Sequence, residues 1–110
     1  MNNTGRHVTL DAYFATDLND ADILAICQKA IKFSNMNVIC QIQKHFEPHG
    51  MTALWLLAES HFSVHTFPEN KYISVDCYTC GNEGSPEKAI DYLVENLKPI
   101  KSNIQKLIRS

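Results

Sequence analysis

Four segments of this chain alternate apolar with polar side chains and a fifth, Met51–Glu59, is apolar enough for a central strand; these patterns constrain the fold more than any other feature. Alternation with a period of two is typical of strands that bury one face. The segments are Arg6–Phe14, Val38–Gln43, Met51–Glu59, Phe62–Thr66 and Tyr72–Tyr78. Short turns separate the last three, so we expect them to be antiparallel neighbours in one sheet.

Two further segments carry apolar residues at the spacing of an amphipathic helix. Asn19–Phe33 is the first, and short polar side chains at its start can cap the free amides. The second begins at Ser85–Glu87, where serine caps and proline fits the first turn, and it ends before Pro99. Residues 100–108 fit either a third helix or an edge strand. We therefore expect an α+β fold, with two α-helices packed on one face of a mostly antiparallel β-sheet.

Bulk composition limits the possible functions. The chain has 110 residues, which fits a single domain spanning residues 1–110. Its formal net charge of −2 offers no positive surface for nucleic acid, and no apolar run reaches the ~20 residues of a membrane helix. The first residues lack the apolar run of a signal peptide, so we expect a cytoplasmic protein with reduced cysteines.

Three residues of catalytic type lie at or near the ends of the expected strands. Ser60 follows the third strand, His65 lies on the fourth and Cys80 follows the fifth. Each alone is ordinary, because a serine between strands is usually a turn residue and a strand histidine usually makes structural hydrogen bonds. Cys77 and Cys80 could form half of a zinc site. A second such pair is missing, however, and the strand pattern puts the two thiols on opposite faces, so no metal ligand is assigned.

The order and spacing of four motifs resemble a known family. The motifs are Gly5-Arg6-His7, Glu59-Ser60-His61, His65-Thr66-Phe67-Pro68-Glu69 and Asp76-Cys77-Tyr78-Thr79-Cys80-Gly81. Together they resemble the prokaryotic S-adenosylmethionine decarboxylase proenzyme, a pyruvoyl-dependent enzyme of polyamine (spermidine) synthesis. The resemblance extends from Gly5 to about Leu97, and the combination is far more specific than any single motif.

The resemblance implies that the chain cleaves itself. Ser60 would attack the carbonyl carbon of Glu59, and elimination would then break the chain between these two residues. The products would be fragment 1–59, the β chain, and fragment 60–110, the α chain. The second fragment would begin with a covalent pyruvoyl group, the cofactor.

The resemblance also assigns roles to three other residues. His65 is similar to the family's processing histidine, a proton carrier, and Thr52 falls where a serine that assists processing is common. In the mature enzyme the pyruvoyl group would form a Schiff base with the substrate amine and accept the electrons released with CO₂. Cys80 matches the proton donor that then completes the product.

Substrate and partner are implied by the same resemblance. Phe46 matches an aromatic that stacks on adenine, and Glu69 matches a carboxylate that hydrogen-bonds the nucleoside. Phe67 stands where tryptophan is common in the family, so it offers a smaller π face and no indole N–H. S-adenosylmethionine is the expected substrate; an ornithine or arginine decarboxylase on the same scaffold, or a catalytically silent regulatory paralogue, are the alternatives. A homodimer of αβ protomers is expected, with the active sites near the interface.

Overall fold

A computed structural model describes residues 4–80 and 85–110 of the chain. It contains a six-stranded sheet and two α-helices. The elements are β1 (Gly5–Tyr13), α1 (Asp20–Phe33), β2 (Val38–His45), β3 (Met51–Leu57), β4 (Ser60–Phe67), β5 (Tyr72–Cys80), α2 (Pro86–Leu97) and β6 (Lys101–Arg109). A short 3₁₀ turn, Pro68–Asn70, joins β4 to β5. The expected α+β class is confirmed.

The strands form one sheet in the order β2-β3-β4-β5-β1-β6, and every pair of neighbours is antiparallel. The C-terminal segment, for which the sequence left helix and strand open, is the edge strand β6. It pairs with β1 along its whole length, from Gly5 opposite Arg109 to Tyr13 opposite Lys101. All residues of β6 are exposed, so it has no buried apolar stripe of the kind that stabilises a helix against a core.

Both helices pack on one face of the sheet, as the sequence predicts. Asn19 caps α1 by accepting from the amides of Ala21 and Asp22, and Ser85 caps α2 by accepting from the Lys88 amide. The core between helices and sheet includes Val8, Leu10, Trp55, Phe62 and Val75 from the strands and Ile23, Cys27, Ala30, Ile90 and Leu93 from the helices. Because alternate strand residues enter this core, the remaining ones point to the opposite side.

That opposite side, here called the open face, is not covered by a helix in the part of the chain that the structure describes. It presents exposed apolar side chains on four strands: Ile42, Leu54, Leu56, Phe67 and Leu107. An apolar patch spread over several strands is typical of a surface that another molecule covers. The open face is therefore the side of the sheet with the capacity to bind a partner.

Candidate site residues lie at both ends of the sheet. The hairpin end holds the starts of β1 and β4 and the ends of β3 and β5, that is, Gly5, Ser60, Leu57 and Cys80. The opposite end, here called the cavity end, holds the ends of β1 and β4 and the starts of β3 and β5, that is, Tyr13, Phe67, Met51 and Tyr72. β3 stops at Leu57 and β4 starts at Ser60, so the interruption falls at residues 58–59, earlier in the chain than the sequence predicts. The hairpin closes with only two residues outside the ladder.

Candidate active site

The turn between β3 and β4 holds a strained residue directly before Ser60. Leu57 pairs with Ser60, which leaves Ala58 and Glu59 to reverse the chain. Glu59 has a φ of 63°, in the left-handed region that side chains with a Cβ rarely adopt. This conformation costs about 1–2 kcal/mol relative to an ordinary one. The strain lies in the residue whose carbonyl carbon Ser60 would attack.

The hydroxyl of Ser60 is buried and has no hydrogen-bond partner. Ser60 is 7% exposed, and its Oγ is among the few buried side-chain oxygens of the described residues that lack a partner. Burying an unpaired hydroxyl costs about 1–3 kcal/mol, so such groups are rare outside functional sites. An unpaired oxygen has its lone pairs free for attack on a nearby carbonyl carbon.

Thr79 has a second unpaired hydroxyl in the same region. Its Oγ1 is buried without a partner, and the residue is 1% exposed. His61 pairs with Tyr78, and continuing that register by one residue on each strand puts Ser60 opposite Thr79 on the helix side of the sheet. The sequence analysis did not single out Thr79 as a site residue, because a threonine in a strand carries no signal that its hydroxyl will be unpaired.

Thr52 and His65 form a direct pair on the open face. They lie opposite each other on β3 and β4, and Thr52 Oγ1 is 2.8 Å from His65 Nδ1. The hydrogen bond fixes the orientation of the imidazole ring and leaves Nε2 as the nitrogen that can exchange a proton. The structure thus brings together the two residues that the resemblance assigned to processing.

A cavity of about 240 Å³ lies beside this pair at the cavity end of the sheet. Its lining includes all three residues assigned to substrate binding, Phe46, Phe67 and Glu69, as well as Thr52 and His65. The carboxylate of Glu69 contacts Nε2 of His49, a cavity residue to which the sequence assigned no role. Two aromatic faces and a carboxylate suit a ligand that combines a flat ring with a hydroxyl or amine group.

Cys80 lies far from this cavity, at the hairpin end of the open face. Its thiol donates a hydrogen bond to Tyr78 Oη at 3.4 Å. His65 pairs with Ser74, six residues before Cys80 on β5, which corresponds to roughly 20 Å along the strand. A single chain therefore does not place Cys80 beside the histidine.

Ser60 and His65 are also separated within one chain. They are at opposite ends of β4, and five residues of strand span roughly 16 Å. Their side chains also lie on opposite faces, because Ser60 alternates with the core residues Phe62 and Val64 whereas His65 lies on the open face. The candidate residues thus form two groups: Glu59, Ser60 and Cys80 at the hairpin end, and Phe46, Thr52, His65, Phe67 and Glu69 at the cavity end.

The other cysteines do not form a second site. Cys27 and Cys77 are buried in the core, and burial raises the pKa of each thiol to about 12, so neither is a ready nucleophile. Cys40 is exposed on the edge strand β2. Cys77 and Cys80 lie on opposite faces of β5, as predicted. Over residues 4–80 and 85–110, no cluster of three or more His, Cys, Asp or Glu residues could hold a metal ion.

The described helices include none that is long and apolar enough to cross a membrane.

A strained peptide before a buried free hydroxyl, and a histidine beside a cavity, define a candidate enzyme with an α+β fold.

Comparison with known proteins identifies the family. A family model described as S-adenosylmethionine decarboxylase matches residues 6–110. The chain is 44% identical over 108 residues to the S-adenosylmethionine decarboxylase proenzyme of Brevibacillus brevis, a match that covers 96% of this chain and 81% of that protein. It is 41% identical over 109 residues to S-adenosylmethionine decarboxylase proenzyme 2 of Bacillus cereus, covering 96% and 88%.

The fold agrees with that result. The crystal structure of the adenosylmethionine decarboxylase from Aquifex aeolicus matches with a TM-score of 0.87 and 33% sequence identity, over 100% of this chain and 93% of that one. The chain belongs to the S-adenosylmethionine decarboxylase family, and the resemblance inferred from its motifs is confirmed.

Proposed function

We propose that this chain is a self-processing, pyruvoyl-dependent decarboxylase that converts S-adenosylmethionine to its decarboxylated form. The observation that carries the proposal is the buried, unpaired hydroxyl of Ser60 directly after a residue in the left-handed conformation. Relatives named S-adenosylmethionine decarboxylase proenzyme favour this substrate over ornithine or arginine. The word proenzyme in those names is consistent with a chain that must be processed.

Cleavage begins with attack by Ser60 Oγ on the carbonyl carbon of Glu59. The C–N bond breaks, an ester forms, and the amine of Ser60 becomes free. Loss of the Ser60 α-proton then breaks the bond between Cβ and the ester oxygen, which leaves a Glu59 carboxylate and a dehydroalanine. Addition of water and loss of ammonia convert the dehydroalanine into a pyruvoyl group at the start of fragment 60–110.

The residues of the hairpin end fit that group. Ser60 supplies the carbon atoms of the pyruvoyl group. The Ser60 hydroxyl, which would be lost, makes no hydrogen bond in the folded chain, so its loss breaks none. A pyruvoyl group supplies a carbonyl that accepts the electrons released with CO₂. Cys80, on the neighbouring strand β5, carries a thiol proton that can be delivered to the substrate carbon.

The cavity end fits the substrate. Phe46 and Phe67 offer π faces for an adenine ring, and aromatic faces also attract a positively charged sulfonium group. Glu69 supplies an acceptor for ribose hydroxyls, and its partner His49 holds the carboxylate at the rim of the cavity. Thr52 orients His65, which would carry the protons exchanged during processing.

A homodimer would remove the separation between the two groups of residues along the sheet. Two sheets that pack through their open faces lie ~10 Å apart, and an antiparallel arrangement places the hairpin end of one chain over the cavity end of the other. The exposed apolar residues of the open face, such as Leu54 and Leu56, support such packing. Each active site would then combine the hairpin end of one protomer, with Cys80 on its open face, and His65 of the partner subunit. The Ser60 side chain lies on the helix side of its own sheet, so it must turn toward the interface to meet that histidine.

Intact mass under denaturing conditions tests the proposal. Two fragments divided between Glu59 and Ser60, the second with a blocked N-terminus, are expected from the purified protein. The Ser60→Ala chain should remain whole, and release of CO₂ from S-adenosylmethionine, ornithine and arginine should identify the substrate. A wild-type chain that stays whole and releases no CO₂ would favour the silent paralogue instead.

A further inference from the structure

We propose that Tyr78 is a positioning residue for the Cys80 thiol. Its hydroxyl fixes the direction of the thiol and stabilises the thiolate after Cys80 has given its proton to the substrate carbon. The inference deepens the proposed function, because it rests on the role of Cys80 as proton donor. Tyr78 lies two residues before Cys80 on β5, so both side chains are on the open face. The Cys80 thiol donates to Tyr78 Oη at 3.4 Å.

The phenol ring is held by residues from three other strands. His61 on β4 stacks on it with ring centroids 5.6 Å apart and an interplanar angle of 27°. The guanidinium of Arg109 on β6 lies 5.2 Å from the ring centroid. The ring also lies across Gly5 on β1, where an added Cβ would come within 2.2 Å of Tyr78 Oη. A ring held from several sides presents its hydroxyl to the thiol in one fixed position.

A hydroxyl beside a thiol can act in both states of the sulfur. Before the transfer, Tyr78 Oη accepts from the thiol. In the transfer the S–H bond breaks, its electron pair stays on sulfur, and the electron pair of the substrate carbon that lost CO₂ forms the new C–H bond. The phenol O–H can then turn and donate to the thiolate, a charge-assisted hydrogen bond.

The ionisation of Tyr78 agrees with this role. The hydrogen bond with Cys80 raises the pKa of Tyr78 above its ordinary value, and desolvation by burial is a smaller cause of the same shift. The phenol therefore keeps its proton at neutral pH and remains available as a donor. Since phenylalanine keeps the ring and removes only this group, the Tyr78→Phe variant isolates the hydroxyl.

The first test is steady-state kinetics of the Tyr78→Phe enzyme. Loss of a hydrogen bond to a charged group should lower kcat by about 10- to 100-fold. Self-cleavage and KM should be unchanged, because the hydroxyl contacts neither the hairpin peptide nor the cavity. Tyr92→Phe is the matched control, since Tyr92 packs on Phe33 in the helix layer and should keep the wild-type kcat.

The second test does not need a processed enzyme. In the unprocessed Ser60→Ala chain, alkylation of Cys80 by iodoacetamide at pH 8 can be followed by peptide mass spectrometry. Adding Tyr78→Phe should slow this alkylation about severalfold, because the thiolate loses its donor. Unchanged alkylation would overturn the inference. Slower alkylation with an unchanged kcat would support the hydrogen bond but overturn the donor role of Cys80, so the two failures are distinguishable.

Discussion

Mixing two inactive variants tests whether each active site combines residues of two chains. The Ser60→Ala chain lacks the proposed nucleophile and the His65→Ala chain lacks the proposed proton carrier, so neither should cleave alone. Within one chain these residues lie on opposite faces of β4 and roughly 16 Å apart along it, too far for a direct proton transfer. The proposed dimer therefore assigns the histidine of each site to a partner subunit.

The expected yield follows from the symmetry of the dimer. In a random mixture of equal amounts, about half of the His65→Ala chains have a Ser60→Ala partner. Each such heterodimer contains one site with both an intact serine and an intact histidine, and one site with neither. About half of the His65→Ala chains should therefore be cleaved, and none of the Ser60→Ala chains.

Co-expression with two different affinity tags, followed by denaturing mass spectrometry, measures this fraction chain by chain. The double variant, mixed with a Ser60→Ala chain, is the control and should give no fragments. Complete absence of cleavage in the heterodimer, with wild-type chains cleaving normally under the same conditions, would refute the two-chain site. Cleavage would then need both residues in one chain and a rearrangement of β4.

Two further substitutions test individual residues. Cys80→Ala should leave self-cleavage intact but lower kcat at least about 100-fold or send the proton to the wrong carbon, as product analysis would reveal, while Cys40→Ala should match the wild type. Thr52→Val keeps the shape of the side chain but removes the hydroxyl bound to His65, so the half-time of cleavage should lengthen about tenfold, whereas Thr52→Ser should cleave at a near-normal rate.

The sequence predicts the elements of this fold well because its patterns are local. Alternation over Tyr72–Tyr78 and the cap at Ser85 both specify their elements without reference to the rest of the chain. The sequence left residues 100–108 open between a helix and a strand, because Ile104, Leu107 and Ile108 fit the apolar spacing of either element. This segment forms the strand β6 because it pairs with β1, and a local sequence pattern carries no information on a contact between such distant parts of the chain.

The site was predicted less completely, for a similar reason. Motif order assigned candidate roles to Ser60, His65 and Cys80 but contained no information on the distances between them. The antiparallel pairing places Ser60 and Cys80 at the hairpin end and His65 toward the cavity end, a consequence of register rather than of residue type. Tyr78 belongs to one of the motifs, but the sequence assigned it no role. Its ring contacts residues on β1, β4 and β6, which lie far from it in the sequence.

The conformation of Glu59 gives the last prediction, because a residue with a φ of 63° at the proposed cleavage site stores strain that cleavage would release. Glu59→Gly removes the steric cost, so it should stabilise the unprocessed chain by about 1 kcal/mol, measured as a rise in Tm in the Ser60→Ala background. In the chain with an intact serine it should slow cleavage about fivefold, because the attacked state starts from a lower energy. Glu59→Ala is the matched control: it removes the carboxylate but keeps the Cβ, so it should cleave at the wild-type rate. If the alanine variant slows as much as the glycine variant, the carboxylate and not the backbone strain drives the reaction. If glycine stabilises the chain without slowing its cleavage, the strain is present but is not used.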